Sequence, residues 1–222
     1  MNTKNIPLPD IDFSGIVTSE DTSTIKELYT DSIPASRKLL FFDVETTGLE
    51  PGFNEICQIA LILDIDGHTV WEYETIVRPE FPCRVHPTAI ETHGITINRM
   101  RYEGISQHDL HFTICNHLSR YIDKYNPNDK AAPCAYNGPF DYAFLSALWK
   151  RCNDKFLGSF LNHRIIDPLA YFRFLASKYE WKLANMKLST VAEHFGISLS
   201  AHDALSDTRA LRKIFYNIYQ DI

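Results

Sequence analysis

Leu39-Leu40-Phe41-Phe42-Asp43-Val44-Glu45-Thr46-Thr47-Gly48 decides the fold and places the first chemistry. A short apolar run that ends in an acidic pair and a Thr-Thr-Gly turn reads as a buried strand. Residues i and i+2 of a strand share a face, so Asp43 and Glu45 leave the sheet side by side. Two ionised carboxylates that close repel, unless a cation lies between them or one takes a proton. They also sit at the strand's C-terminal end, where open α/β sheets place ligands. An Asp-x-Glu triplet is too common to decide anything alone, so its weight depends on the rest of the chain.

Outward from this strand the pattern is regular. Gln58-Ile59-Ala60-Leu61-Ile62-Leu63 reads as a second strand, Asp66-Gly67 as a hairpin turn, and 69–77 as a third, alternating strand. The second half alternates helix and strand. Helices are expected over 106–125, from Pro139 toward Lys150, and near 169–179, 188–195 and 204–219. Short strands are expected at 132–136 and at Ile165-Ile166-Asp167-Pro168, where the residue before proline disfavours helix. A hairpin-led sheet followed by strands alternating with helices is an α/β fold with a mixed sheet. Residues 1–35, rich in Asp, Ser, Thr and Pro, read as an arm or linker with one short helix near 24–29. The folded domain is expected over 36–222.

Two further motifs complete the chemistry. Tyr136-Asn137-Gly138-Pro139-Phe140-Asp141 closes a strand and opens a helix, so Asp141 falls in the first helical turn. A carboxylate stays ionised easily there, and helix-start electrostatics alone would account for it. His202-Asp203-Ala204-Leu205-Ser206-Asp207-Thr208-Arg209 puts His202 before a helix and Asp207 within it. The set is four carboxylates and one imidazole. Hard oxygen ligands with neither a thiolate nor a His pair favour Mg²⁺ or Mn²⁺ over zinc. Four carboxylates can hold two such ions for in-line phosphoryl displacement, and a neutral His202 can accept the proton of the attacking water.

Phe-Asp-Val-Glu-Thr-Thr-Gly, Asn-Gly-Pro-Phe-Asp and His-Asp-Ala-Leu-Ser-Asp-Thr, in this order and spacing, resemble the DEDDh (DnaQ-like) 3′–5′ exonucleases. Arg78-Pro79 followed by Ala89-Ile90-Glu91-Thr92-His93-Gly94-Ile95 resembles the segment that connects their motifs. The resemblance runs from about Lys38 to the C-terminus. It implies a ribonuclease-H-like fold, a mixed β-sheet flanked by α-helices. It implies Asp43, Glu45, Asp141 and Asp207 as ligands of two Mg²⁺ or Mn²⁺ ions, and His202 as general base. It implies a substrate surface made of Thr46, Thr47, Gly48, Leu49, His93, Asn137 and Phe140, with Leu49 as a wedge against the terminal base. The implied substrate is the 3′ end of single-stranded DNA, with RNA as the alternative, and a DNA polymerase is an implied partner. One position departs from the pattern: Tyr136 stands where family members commonly carry His.

Composition sets the remaining bounds. The net charge of −6 argues against extensive phosphate contact, although residues 150–187 hold eight basic and three acidic side chains, a net +5. A solvated helical face explains that segment equally well. His108, His111 and His117 fit a solvated face better than a metal cluster, and the aromatics Tyr171, Phe172, Phe174, Tyr179 and Trp181 fit core better than base stacking. Five scattered cysteines without a C-x-x-C pair fit reduced thiols in a cytoplasmic protein, rather than a disulfide framework or zinc site. No secretory signal opens the chain, and no run approaches the roughly 20 apolar residues of a membrane span. The contrasting class is a non-catalytic binding module on an exonuclease fold. Such a module has no need to keep all four carboxylates and His202.

Overall fold

The computed structural model describes residues 37–200 and 203–220. The expected arm and its helix near 24–29 lie outside these residues. Three strands open the described residues: β1 (Lys38–Thr46), β2 (Ile56–Ile65) and β3 (His68–Arg78). The β2–β3 turn is Asp66-Gly67, with φ of 51° and 87°, the paired left-handed conformation that a tight hairpin requires. Two short helices follow, α1 (Pro87–His93) and α2 (Ile97–Glu103), then β4 (Ile105–Ser106) and α3 (Gln107–Leu118). The rest of the chain is β5 (Ala132–Cys134), α4 (Gly138–Arg151), α5 (Pro168–Lys178), α6 (Leu188–His194) and α7 (Ala204–Gln220).

The sheet order is β4-β3-β2-β1-β5. β1, β2 and β3 run antiparallel, while β5 joins β1 and β4 joins β3 in parallel, so the sheet is mixed as expected. Alternation along β1 then sorts the two faces. Leu40, Phe42 and Val44 pack with Leu110, Ile114 and Leu118 of α3 and with Phe144, Leu145 and Leu148 of α4. Leu39 and Phe41 point the other way, onto Leu211, Phe215 and Tyr216 of α7. Asp43 and Glu45 continue that odd-numbered series, which directs both carboxylates to the face that α7 covers.

Three expectations need correction. The helix from Ser106 ends at Leu118 rather than near 125, because Ser119–Tyr121 turn and Asp129 Oδ2 accepts the Asp123 N–H beyond them. The strand at 165–168 reduces to one parallel bridge, Cys134 to Ile166, since Asp167 already caps α5 by accepting from Leu169 N. The three histidines of α3 are not uniformly solvated. His117 stacks on Trp71 with centroids 4.7 Å apart, and His111 is half-buried against Trp149. Phe172 is core and Trp181 packs on Phe195, whereas Phe174 is exposed.

Candidate active site

Asp141 is joined to Asp43 and Glu45 by a gap in the sheet. β5 pairs with β1 only as far as Phe41. The Val44 N–H, beyond the end of β5, needs another acceptor, and Asp141 Oδ1 accepts it at 3.1 Å. α4 delivers that carboxylate because Asn137 takes a left-handed conformation (φ 60°, ψ 40°) and Gly138-Pro139 starts the helix immediately after it. A Cβ on Gly138 would meet the Ile165 side chain at 2.6 Å, so the close approach there requires glycine.

Asp207 comes from the first turn of α7. The helix is fixed over the sheet by Phe215 edge-on to Phe41 (5.3 Å) and by two ion pairs. Arg212 Nε donates to the fully buried Asp64 at 2.7 Å, and Arg209 grips both oxygens of Glu72. Carboxylate oxygens of Asp43, Glu45 and Asp207 consequently lie within 4.8 Å of one another. His202 lies outside the described residues. Its neighbour Asp203 accepts from Ser206 N at 2.8 Å, as a helix-capping side chain does.

The electrostatics of this cluster are those of unneutralised charge. Burial raises the Asp43 carboxyl well above its usual range, and Asp141, Glu45, Asp207 and Asp203 raise it further. Glu45 is pushed up to about 7 by burial, then by Asp207 and Asp203. Asp141 is also pushed up to about 7, mainly by burial, against the lowering hydrogen bond from Val44 N. The charges that act on Asp43 and Glu45 are all carboxylates. Such a set fits hard divalent cations: oxygen donors only, already gathered, with repulsion that bound positive charge would relieve.

The turn after β1 is braced from several sides. Thr47 N donates to Glu55 O, Glu55 N donates to Thr47 Oγ1, and Thr46 Oγ1 donates to Gly48 O. Asn54 holds Glu50 N and Arg84 O, and Arg151 of α4 donates to the Pro51 and Asn54 carbonyls. A Cβ on Gly48 would sit 2.6 Å from the Asn54 amide, so only glycine fits this turn. Leu49 projects from it with 81% of its surface exposed. Asn137 is exposed at the start of α4, while Phe140 beside it is half-buried against Phe144. His93 lines a cleft with Gln58, Glu74, Arg99 and Asp203, and its Nδ1 accepts from Ile95 N at 3.0 Å. Tyr136 is turned away from solvent chemistry: its hydroxyl donates to Met186 O at 2.7 Å and its ring packs on Phe172.

Sequence reasoning passed over Asp203 and Glu74. Asp203 stands inside a quoted motif and was readable from its place before the helix. Glu74 needed the β2–β3 register, which sets it beside Gln58 (Nε2 to Oε1, 2.8 Å) at the rim of the cluster. Also hidden was the buried Glu55, whose two oxygens accept from Glu80 N and Phe81 N and so tie the turn to the chain after β3.

The family model described as exonuclease (RNase_T) matches residues 40–215. DNA polymerase III PolC-type from Thermotoga petrophila is 27% identical over 213 residues, which cover 93% of this chain and 14% of that protein. The counterpart from Halalkalibacterium halodurans is 28% identical over 185 residues, covering 83% of this chain and 11% of that protein. The chain thus spans about one seventh of the first of these relatives, and the alignment with it reaches upstream of β1. Among solved structures, exonuclease I superposes with a TM-score of 0.69 at 21% identity, over 83% of this chain and 41% of that one. Escherichia coli exonuclease I in complex with a dT13 oligonucleotide gives a TM-score of 0.69 at 20% identity, over 83% and 41%. With residues 40–215 matched and the mixed sheet and helices in the same arrangement, the chain belongs to the RNase_T exonuclease family, the DnaQ-like 3′–5′ exonucleases of the ribonuclease-H-like superfamily.

Proposed function

We propose that this chain removes 5′-mononucleotides from the 3′ end of single-stranded DNA by hydrolysing the terminal phosphodiester. The observation that carries this reading is the convergence of Asp43, Glu45 and Asp207 oxygens within 4.8 Å, with Asp141 latched to Val44 beside them. Mg²⁺ or Mn²⁺, two ions held by Asp43, Glu45, Asp141 and Asp207, would supply the charge that lets a phosphate approach, acidify the attacking water and stabilise the leaving 3′ oxygen.

The protein's own groups then have separate tasks. The rigid Thr46–Leu49 turn receives the terminal nucleotide, with Gly48 letting the turn close on Asn54 and exposed Leu49 lying against its base. Asn137, Phe140 and His93 line the approach. His202, one residue before Asp203, takes the proton from the water as the new P–O bond forms and the P–O3′ bond breaks. The oligonucleotide bound by E. coli exonuclease I supports a single-stranded substrate, because a terminal nucleotide must be splayed into such a site. The PolC-type relatives support work beside a DNA polymerase. Among the described residues no helix is long and apolar enough to cross a membrane, and reduced thiols favour a cytoplasmic setting.

A time course on 5′-labelled single-stranded DNA, blunt duplex DNA and RNA, each with Mg²⁺, Mn²⁺ or EDTA, tests this. Stepwise shortening from the 3′ end is expected, fastest on single-stranded DNA and absent in EDTA. Faster loss of RNA or of blunt duplex would reassign the substrate, and no cleavage with either metal would overturn the reading.

A further inference from the structure

Across the sheet from the carboxylate cluster, three donor atoms of different chemistry meet between α3 and α4. His111 and Cys115 stand one turn apart on α3 and so share a face. Asp154 arrives from the turn after α4, where its N–H donates to Trp149 O at 3.0 Å. His111 Nε2 lies 3.0 Å from Asp154 Oδ2 and 3.5 Å from Cys115 Sγ. All three donor atoms fall within 4.8 Å of one another. Zinc bonds of about 2.0–2.3 Å at tetrahedral angles give ligand-to-ligand separations of roughly 3.3–3.6 Å, close to the 3.0 and 3.5 Å that separate His111 Nε2 from its two neighbours.

The same geometry rules out a thiol–imidazole–carboxylate proton relay, in which thiol and carboxylate face opposite ring nitrogens. Here both face Nε2, and a single N–H there can serve only one of them. A cation at that point would be shared by all three. Two of the three arms are already oriented. Asp154 Oδ1 accepts from Phe156 N at 2.7 Å, which turns Oδ2 inward, and the His111 ring stands edge-on to Trp149 at 4.8 Å. Side-chain exposures of 17% for His111 and 24% for Asp154 leave an entry path. Burial, then Asp154, then Cys152, push the Cys115 thiol up to about 11, with Lys124 opposing.

We propose that His111, Cys115 and Asp154 bind a zinc ion that fastens α3 to the turn after α4, with the fourth position open to water. The site is independent of the nuclease reading. The full chain, stripped with EDTA and titrated with Co²⁺ and then Zn²⁺, gives a direct readout. One equivalent of Co²⁺ is expected to produce thiolate-to-cobalt charge-transfer absorption with tetrahedral d–d bands, and Zn²⁺ to bleach both. The oxygen-only carboxylate cluster cannot yield a thiolate band, so Asp43→Asn should retain it. Cys115→Ser should abolish the band. His111→Gln and Asp154→Asn should weaken Co²⁺ binding by more than roughly 100-fold, beyond the loss caused by removing an outer-shell partner. Should Cys115→Ser fail to fold, the wild-type spectrum and the other two variants decide. A wild-type protein without the thiolate band, or a band that survives in folded Cys115→Ser, would overturn the site.

Discussion

Replacing Glu45 with Gln is expected to stabilise the metal-free protein at pH 8 and to flatten its response to pH. Burial, Asp207 and Asp203 raise the Glu45 carboxyl from 4.5 to about 7 in the folded state. Between those values the folded protein keeps a proton that the unfolded chain has released. Stability falls with rising pH wherever the folded state binds more protons, so the loss accrues from about pH 4.5 to about 7 and is complete above that. A shift of roughly 2.5 units corresponds to about 3 kcal/mol at 1.36 kcal/mol per unit, an upper figure because side chains in the cluster relax. In a domain of this size that is roughly 6–12 °C in Tm. Melting followed by circular dichroism in EDTA, from about pH 5 to about pH 8, reads the effect. Wild-type Tm should fall across the range. Glu45→Gln should fall less, though not be flat, because Asp43 and Asp141 are raised as well. At pH 8 the variant should melt above wild type in EDTA, and Mg²⁺ or Mn²⁺ should raise wild type more than the variant. A variant that melts below wild type at pH 8 without metal would refute the argument that these carboxylates are held against their own repulsion.

Three other outcomes are expected. Asp207→Ala should abolish nuclease turnover with Mg²⁺ while its circular dichroism spectrum stays native, since Arg209, Arg212 and Phe215 still dock α7; near wild-type turnover would remove Asp207 from the ligand set. His202→Ala should lose on the order of 10²- to 10⁴-fold in single-turnover rate and the rising limb of the pH–rate profile; a wild-type profile flat from about pH 5.5 to about 9 would end the general-base role. Gly48→Ala should cost about 1–3 kcal/mol in denaturant unfolding, as overpacked sites do, and slow the nuclease. Its Cβ would sit 2.6 Å from an Asn54 amide that is tied to Glu50 and Arg84 and has nowhere to go.

What the sequence disclosed divides along a physical line. Period-two patterning is local, so the run from Leu39 to Glu45 announced both a strand and the shared face of its two carboxylates, and Asp66-Gly67 announced the hairpin. α1 and α2 escaped because α1 buries none of its side chains and α2 only Met100, which leaves no stripe to read, whereas the equally short α6 buries Val191 and Ala192. The C-terminal end of α3 and the strand at 165–168 were decided by side-chain acceptors that periodicity does not register, Asp129 in the loop after α3 in one case and the competing cap by Asp167 in the other. The site divides in the same way. Asp141 was recognisable by its motif, but its task of closing the gap that β5 leaves beside Val44 appears only when strand lengths are known. His111, Cys115 and Asp154 show the limit most plainly. Two of them are four residues apart and look like a solvated helical face, and the third is 43 residues from His111. Only the packing of α3 against α4 on the even-numbered face of β1 brings that third donor within reach. Motif spacing therefore locates chemistry that grows from the ends of strands and helices, whereas chemistry assembled between packed helices leaves no local trace.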